Sequence, residues 1–195
     1  MYVCARMRRS DRGLSLMASE GDPFLRSLTG DDLPEAVRQL HSGAGRYTGR
    51  CSITRGKGRL VALALRIGGF PHEGTDLPVT LAIRQSGTDW LWDRNFAGHR
   101  TSSRLSFDHA RGWVREQIGG LTIWLQPVRN KAGLAIEIRR LCLFGIPCPG
   151  FMLPRSASTE AEDAQARFCF DISARVPGLG LLIRYRGWLV PDHGE

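Results

Sequence analysis

The chain has 195 residues, 42% of them hydrophobic, and a formal net charge of +8. This length fits one domain that buries roughly 70% of its unfolded surface. No apolar run is long enough to span a membrane, so no membrane-spanning segment is expected. Two lysines and otherwise arginines supply the positive charge, and they are spread along the chain rather than gathered in stripes. We therefore do not expect nucleic-acid binding.

The cysteines and the N-terminus bear on compartment and on domain limits. Neither a disulfide framework nor a zinc site is predicted, because the cysteines are odd in number and none has Cys-x-x-Cys spacing. A reducing cytoplasm follows as the expected location. Residues 1–21 are predicted to be a flexible basic tail, of which residues 1–16 are alternatively a start-site extension. The domain is expected over residues 22–191, followed by a short tail over 192–195. The cysteines are Cys4, Cys51, Cys142, Cys148 and Cys169.

Two short helices are predicted on the N-terminal side. The first follows Asp32-Leu33-Pro34-Glu35, which resembles a capping box, and it ends at the glycine-rich segment 42–45. The second covers Leu60 to Ile67, which is apolar almost all round and is followed by two glycines. We expect this second helix to be buried. Tyr47 to Arg55, between the two helices, alternates loosely as a strand does.

From Pro78 onward the sequence is typical of β-structure. Short alternating runs recur at 79–84, 90–96, 104–107, 113–118, 121–125 and 134–139, separated by turn residues. Phe168–Val176 and the last strand, Leu181–Leu189, are joined by a turn and predict a hairpin. The pattern predicts a mainly β fold, a single antiparallel β-barrel-like or strongly curved sheet with two short helices. A helix-grip α+β fold is the alternative, disfavoured because the chain ends in a strand.

One long connection interrupts the strands at 144–154. Its three prolines and two glycines exclude a central strand. Because it also carries large apolar residues, we expect it to be a flap packed over an opening or a sheet end.

No residue is predicted to be catalytic or to bind a metal or cofactor, since no histidine pair or nucleophile motif has the required spacing. Polar and tryptophan residues on the strands are instead predicted to line a barrel lumen that holds a small ligand. Arg94 and Arg186 would clamp a carboxylate or phosphate group, with Arg186 buried and Arg184 exposed. A solvated outer face remains the alternative. The predicted ligand-binding residues are Trp92, Arg94, Glu116, Tyr185, Arg186 and Trp188.

Gly187 stands out in the last strand. It shares a face with Tyr185 and Leu189, where the missing side chain predicts a close backbone approach or a bend in the barrel.

Several short motifs resemble a bacterial family known as domain of unknown function four-one-six-six. The most specific is Tyr185-Arg186-Gly187-Trp188-Leu189, and the likeness extends from about Leu33 to Leu189. The family implies no activity, but its members occur alone or fused behind a Rossmann-type oxidoreductase domain similar to saccharopine dehydrogenase. The other motifs are Leu33-Pro34 with Val37 and Leu40-His41, Arg55-Gly56, Pro78-Val79, Trp92-x-Arg94-x-Phe96, Gly145-x-Pro147-x-Pro149 with Leu153-Pro154, and Phe168-x-Phe170-Asp171.

Three functions stay open at this point. The first is a module that binds a small amphipathic or anionic ligand, which the barrel prediction favours. The second is an accessory domain for a Rossmann-type oxidoreductase, which the family resemblance implies. The third is an enzyme of unknown reaction that uses the polar residues of the strands.

Overall fold

The computed structural model describes residues 21–28 and 32–194, so the predicted tail lies outside it except for Gly21. None of the described helices combines the length and the apolar character that crossing a bilayer requires. The elements in chain order are α1 (Pro23–Arg26), α2 (Glu35–Ser42), β1 (Gly45–Arg55), α3 (Arg59–Ile67), β2 (Gly74–Ser86), β3 (Asp89–Phe96), β4 (His99–Asp108), β5 (Trp113–Ile118), β6 (Leu121–Asn130), β7 (Gly133–Leu143), β8 (Ile146–Pro147), a 3-10 turn (Gly150–Met152), β9 (Arg155–Ser156), β10 (Ser158–Glu162), β11 (Phe168–Val176) and β12 (Gly180–Pro191).

Ten antiparallel strands form a closed barrel in the order β10-β11-β12-β1-β2-β3-β4-β5-β6-β7. The ring closes where β10 pairs with β7, with Glu160 opposite Leu134. β8 and β9 are two-residue strands attached to β7 and β11. The predicted mainly β, barrel-like fold is confirmed, and the helix-grip alternative is wrong because the strands close on themselves.

Strand alternation decides which residues enter the lumen. On β3, Trp92 and Phe96 are buried and Arg94 lies between them on the same inward face. β2 buries Val79, Leu81 and Ile83 in the same way, and Thr80 and Arg84 on its other face are exposed. The inward faces of the ten strands therefore supply one continuous core.

Helices α1 and α2 close one end of the barrel. Phe24, Val37 and Leu40 are buried there against inward residues of the strands. The predicted capping box is wrong, because Pro34 precedes α2 and no side chain of its own segment caps the helix. Glu162 of β10 caps the helix instead, because its carboxylate accepts a hydrogen bond from the Ala36 N–H at 2.6 Å.

The connection that contains α3 crosses the opposite end. It begins beside β12, where the Gly56 N–H donates to the Leu182 carbonyl at 2.8 Å. It reaches the far side of the ring, where His99 donates through Nε2 to the Gly69 carbonyl at 2.9 Å. The predicted helix is confirmed, but its predicted burial holds for one face only, because Val61 and Leu65 alone are buried.

The connection after β7 does not pack as predicted. Phe144, Ile146, Phe151 and Met152 are all exposed. The expectation of a packed flap is wrong because β8 folds back on β7 as a hairpin, with Pro147 opposite Cys142. The α3 segment covers the opening that the flap was expected to cover.

Gly187 lies at a tight contact between three strands. It pairs with Cys51 of β1 and with Phe170 of β11. A Cβ at this position would overlap the Arg50 carbonyl oxygen and stand 2.9 Å from the Cα of Cys51. The predicted close backbone approach is confirmed, and the Phe170 ring fills the space that the absent side chain leaves.

We predict that Gly187→Val lowers the free energy of unfolding by about 1–3 kcal/mol, because the added side chain overpacks the contact with β1. Urea titration measures this change. Gly43→Val is the matched control, since nothing lies within 4 Å of a Cβ at Gly43. Equal stability of the two variants would contradict the close approach.

Candidate functional site

The barrel encloses a cavity of about 250 Å³. Ten strands make a wider ring than the eight whose interior is just filled by side chains, so unfilled space is expected. Most of the wall is aliphatic or aromatic, and the α3 connection contributes Phe70 to it. Apolar residues of the wall include Phe70, Val79, Leu81, Ile138, Ile172 and Ile183.

A small polar cluster interrupts this apolar wall. The guanidinium of Arg94 donates to Ser103 Oγ at 2.9 Å and to Glu116 Oε1 at 3.4 Å. Tyr185 of β12 lines the same cavity, and the centre of its ring lies 5.4 Å from that of Phe96 on β3. Burial raises the pKa of Tyr185 above its usual value, although the nearby Arg94 acts in the other direction. Tyr185 therefore keeps its O–H proton at neutral pH and can act as a hydrogen-bond donor.

Trp92 connects the polar cluster with the helical end of the barrel. The Arg94 guanidinium carbon lies 5.1 Å from the centre of its ring, and the His41 ring centre lies 5.6 Å from it on another side. Trp92 is buried, and its Nε1–H has no hydrogen-bond partner among the described residues. A buried donor without a partner costs about 1–3 kcal/mol. A ligand acceptor that reached this nitrogen would remove that cost.

His41 is the centre of a buried ion triad beneath the cavity. Its side chain is fully buried, with Nδ1 2.8 Å from Asp22 Oδ2 and Nε2 2.8 Å from Glu160 Oε2. Burial alone would lower its pKa, but the charges of Asp22 and Glu160 and the hydrogen bonds to both together raise it to about 10. His41 is therefore an imidazolium at neutral pH that donates from both ring nitrogens.

This protonation state limits the chemistry of the triad. A histidine that donates from both nitrogens offers no lone pair for a general base or a metal. Within residues 21–28 and 32–194, no group of three or more His, Cys, Asp or Glu is arranged to hold a metal ion. The triad instead fastens α1, α2 and β10 together at one end of the barrel.

Four of the six residues predicted to bind a ligand line the cavity: Trp92, Arg94, Glu116 and Tyr185. Their role in binding stays a prediction. The burial predicted for Arg186 is wrong, because strict alternation from Tyr185 onward turns Arg186 to the outer face, where it is exposed. Arg184 is exposed as predicted and pairs with Asp171.

Trp188 also lies outside the lumen. With Arg186 it borders an outer groove of about 540 Å³ that also contains the ion pair of Arg50 and Asp76. The Arg167 guanidinium carbon stacks 4.5 Å from the centre of the Trp188 ring. The predicted clamp of two arginines therefore reduces to Arg94 alone.

Sequence reasoning missed the ion triad. Asp22 and Glu160 are 19 and 119 residues away from His41 in the sequence. No local spacing signals such a contact. The one available hint is that Asp22 directly precedes Pro23, which is typical of a helix start.

The family model for "Domain of unknown function (DUF4166)" matches residues 33–189. The chain belongs to this family. No curated protein matches the chain. The match covers nine of the ten barrel strands in full and β12 up to Leu189, and it includes the polar cluster, His41 and Glu160. Asp22 and Phe24, which α1 brings to the end of the barrel, precede the matched range.

We predict that replacing His41 destabilises the protein in a pH-dependent way. The pKa of His41 rises from 6.5 to about 10 on folding, so its contribution is complete below about pH 6.5 and is lost as the pH rises through about 10. His41→Gln, which leaves two buried carboxylates without their cation, should cost about 3–5 kcal/mol near pH 6. The difference from wild type should shrink toward pH 10.

Urea titration at several pH values measures both effects. His193→Gln is the control, because His193 is exposed near the C-terminus and its replacement should change stability by no more than about 0.5 kcal/mol. A His41→Gln difference that stays constant across this pH range would show that the imidazolium does not carry the stabilisation.

Proposed function

We propose that the barrel binds a small amphipathic ligand, with an apolar chain in the cavity and one hydrogen-bonding head group at the polar cluster. The observation that carries this proposal is the Trp92 Nε1–H, a buried donor without a partner beside Arg94 in a largely apolar cavity. Tyr185 offers a second donor on the same cavity. Apolar walls with a few converging polar groups are the usual composition of small-molecule sites.

The charges around the cavity favour an uncharged head group over an anion. Glu116 already lies 3.4 Å from Arg94 and balances its charge. His41 is a cation, but two carboxylates surround it. A bound carboxylate would therefore meet Glu116 as a like charge, whereas a hydroxyl or carbonyl can accept from Trp92 or Arg94 without that cost.

The cavity size limits the apolar part of the ligand. A volume of about 250 Å³ lies just below the range of about 300–1,000 Å³ found for most ligand pockets. It corresponds to about eight groups of water size at ~30 Å³ each. A medium-length alkyl chain suits this space better than a large polycyclic molecule.

The other functions have less support. An enzyme would need a general base, and both nitrogens of His41 are occupied. An accessory domain for a Rossmann-type oxidoreductase would use the exposed apolar side chains at the α3 end, but basic residues surround these.

The proposed location is a reducing cytoplasm. The described cysteines, Cys51, Cys142, Cys148 and Cys169, are free thiols. Burial raises the pKa of Cys51 to about 11, so that thiol stays protonated.

We predict that decanol displaces the neutral fluorophore N-phenyl-1-naphthylamine from the wild-type barrel. Ile138→Trp, which fills the cavity, should weaken fluorophore binding at least about tenfold because the wall volume is lost. Replacing the ion pair with Arg94→Met and Glu116→Met should keep fluorophore binding but weaken decanol several-fold, by the loss of about one hydrogen bond. Fluorescence titration measures each affinity.

Two controls match these variants on the outer face. Val128→Trp adds the same side chain at an exposed position. Arg84→Met with Asp93→Met removes an ion pair between β2 and β3 that does not line the cavity. Ala174→Leu is a smaller cavity-filling change for use if Ile138→Trp fails to fold. Equal fluorophore affinity in the cavity and outer-face variants would exclude the lumen as the binding site.

A further inference from the structure

Exposed apolar side chains surround the end of the barrel that carries α3. Phe151, Ile146 and Phe144 are 77%, 72% and 70% exposed, values far above those of ordinary strand residues. We call this set the apolar rim. Its members are Leu60, Leu63, Ile67, Phe144, Ile146, Phe151, Met152 and Leu179.

Backbone contacts place the three segments of the apolar rim at the same end. The Phe144 N–H donates to the Gly120 carbonyl at 2.7 Å, and the neighbouring Gly119 lies next to the Gly68 carbonyl at the end of α3. At the other end of α3, the Gly56 N–H donates to Leu182, three residues after Leu179. The α3 connection, the segment after β7 and the β11–β12 turn therefore form one surface.

Helix α3 is apolar on two faces. Val61 and Leu65 are buried toward the barrel, while Leu60, Leu63 and Ile67 are 64%, 54% and 41% exposed on the outward face. The outward residues are spaced three and four apart, so they form a stripe on the helix. A contiguous apolar patch of this kind marks an interaction surface rather than ordinary surface composition.

The charge around the apolar rim is predominantly positive. The segments at this end, residues 55–73, 97–101, 118–121, 143–157 and 174–181, contain one acidic residue, Glu73. At the other end of the barrel, the segments around α1 and α2 mix both signs. The basic residues of the α3 end are Arg55, Lys57, Arg59, Arg66, Arg100, Arg155 and Arg175, all exposed except the half-buried Arg55.

We propose that the α3 end docks peripherally on an anionic lipid bilayer. The apolar rim would enter the boundary between head groups and acyl chains, and the basic residues would contact the anionic head groups. Helix α3 carries an arginine near each end, Arg59 and Arg66, and only apolar residues between them, a composition that suits a helix lying in this interface. A protein partner would have to match the same positive charge around the whole apolar surface.

The docking surface is continuous with the cavity. Phe70 follows α3 directly and lines the cavity. Glycines with positive φ flank the helix, Gly58 with φ +112° and Gly69 with φ +66°, so the chain enters and leaves α3 through conformations that other residues rarely adopt. The inference that the ligand enters from the bilayer at this point rests on the proposed function, whereas docking itself does not.

Flotation of the full chain with vesicles tests the docking. Wild type should bind vesicles that contain about 30% phosphatidylglycerol in phosphatidylcholine, and bind pure phosphatidylcholine much more weakly. Salt near ~1 M should reduce the binding, because it screens the basic residues. Ile146→Ser with Phe151→Ser, and separately Lys57→Glu with Arg59→Glu, should each weaken binding at least about tenfold.

The matched controls are Val128→Ser and Lys131→Glu, which change exposed residues away from the α3 end and should bind as wild type does. Unaltered thermal unfolding of each variant shows that it is folded. Equal vesicle binding by rim and control variants would overturn the proposal. An absence of vesicle binding would also overturn the proposal. This is the result expected if the apolar rim binds a protein partner instead of a bilayer.

The cavity variant separates the two proposals. Ile138→Trp should bind vesicles normally, because its side chain lies in the lumen. Vesicle binding without decanol displacement would leave docking intact and remove the proposed ligand. Decanol displacement without vesicle binding would leave the proposed ligand site intact and overturn docking on the bilayer.

Discussion

The short strand β10 holds the structure together. Its pairing with β7 on one side and β11 on the other completes the ring, so no strand of the ten is left with a free edge. The same five residues carry Glu160, which binds His41, and Glu162, which accepts from the N-terminus of α2. Closure of the barrel and attachment of the helices at its end therefore both depend on β10.

The asymmetry between the two ends follows from this arrangement. At the end with α1 and α2, the ion triad of Asp22, His41 and Glu160 is fully desolvated, and such a triad stabilises only while every charge keeps its partner. At the end with α3, the attachments are the buried side chains of Val61 and Leu65 and hydrogen bonds such as that from His99 to Gly69. The two ends of the barrel are therefore held by different kinds of contact, buried charges at one end and apolar packing with backbone hydrogen bonds at the other.

Much of the fold could be predicted from the sequence, and the exceptions have physical reasons. Strands such as β3 and β12 place apolar residues at every second position, so period and turn residues locate them. β10 gives no such signal, because its inward residues are Ser158, Glu160 and the capping Glu162. Arg186 is flanked by Tyr185 and Trp188, which suggests burial, but the alternation that Tyr185 sets on β12 turns Arg186 to the outer face.

The candidate site likewise has features that the sequence predicts and features that it does not. Trp92, Arg94, Glu116 and Tyr185 were predictable as lumen residues because each lies in phase with buried apolar neighbours on its own strand. What the sequence does not contain is the pairing between them. Only the assembled ring places Glu116 of β5 beside Arg94 of β3, where its carboxylate balances the charge of the guanidinium. The face on which a residue lies can be predicted from its own strand, whereas the net charge of the lumen depends on which strands the closed barrel brings together.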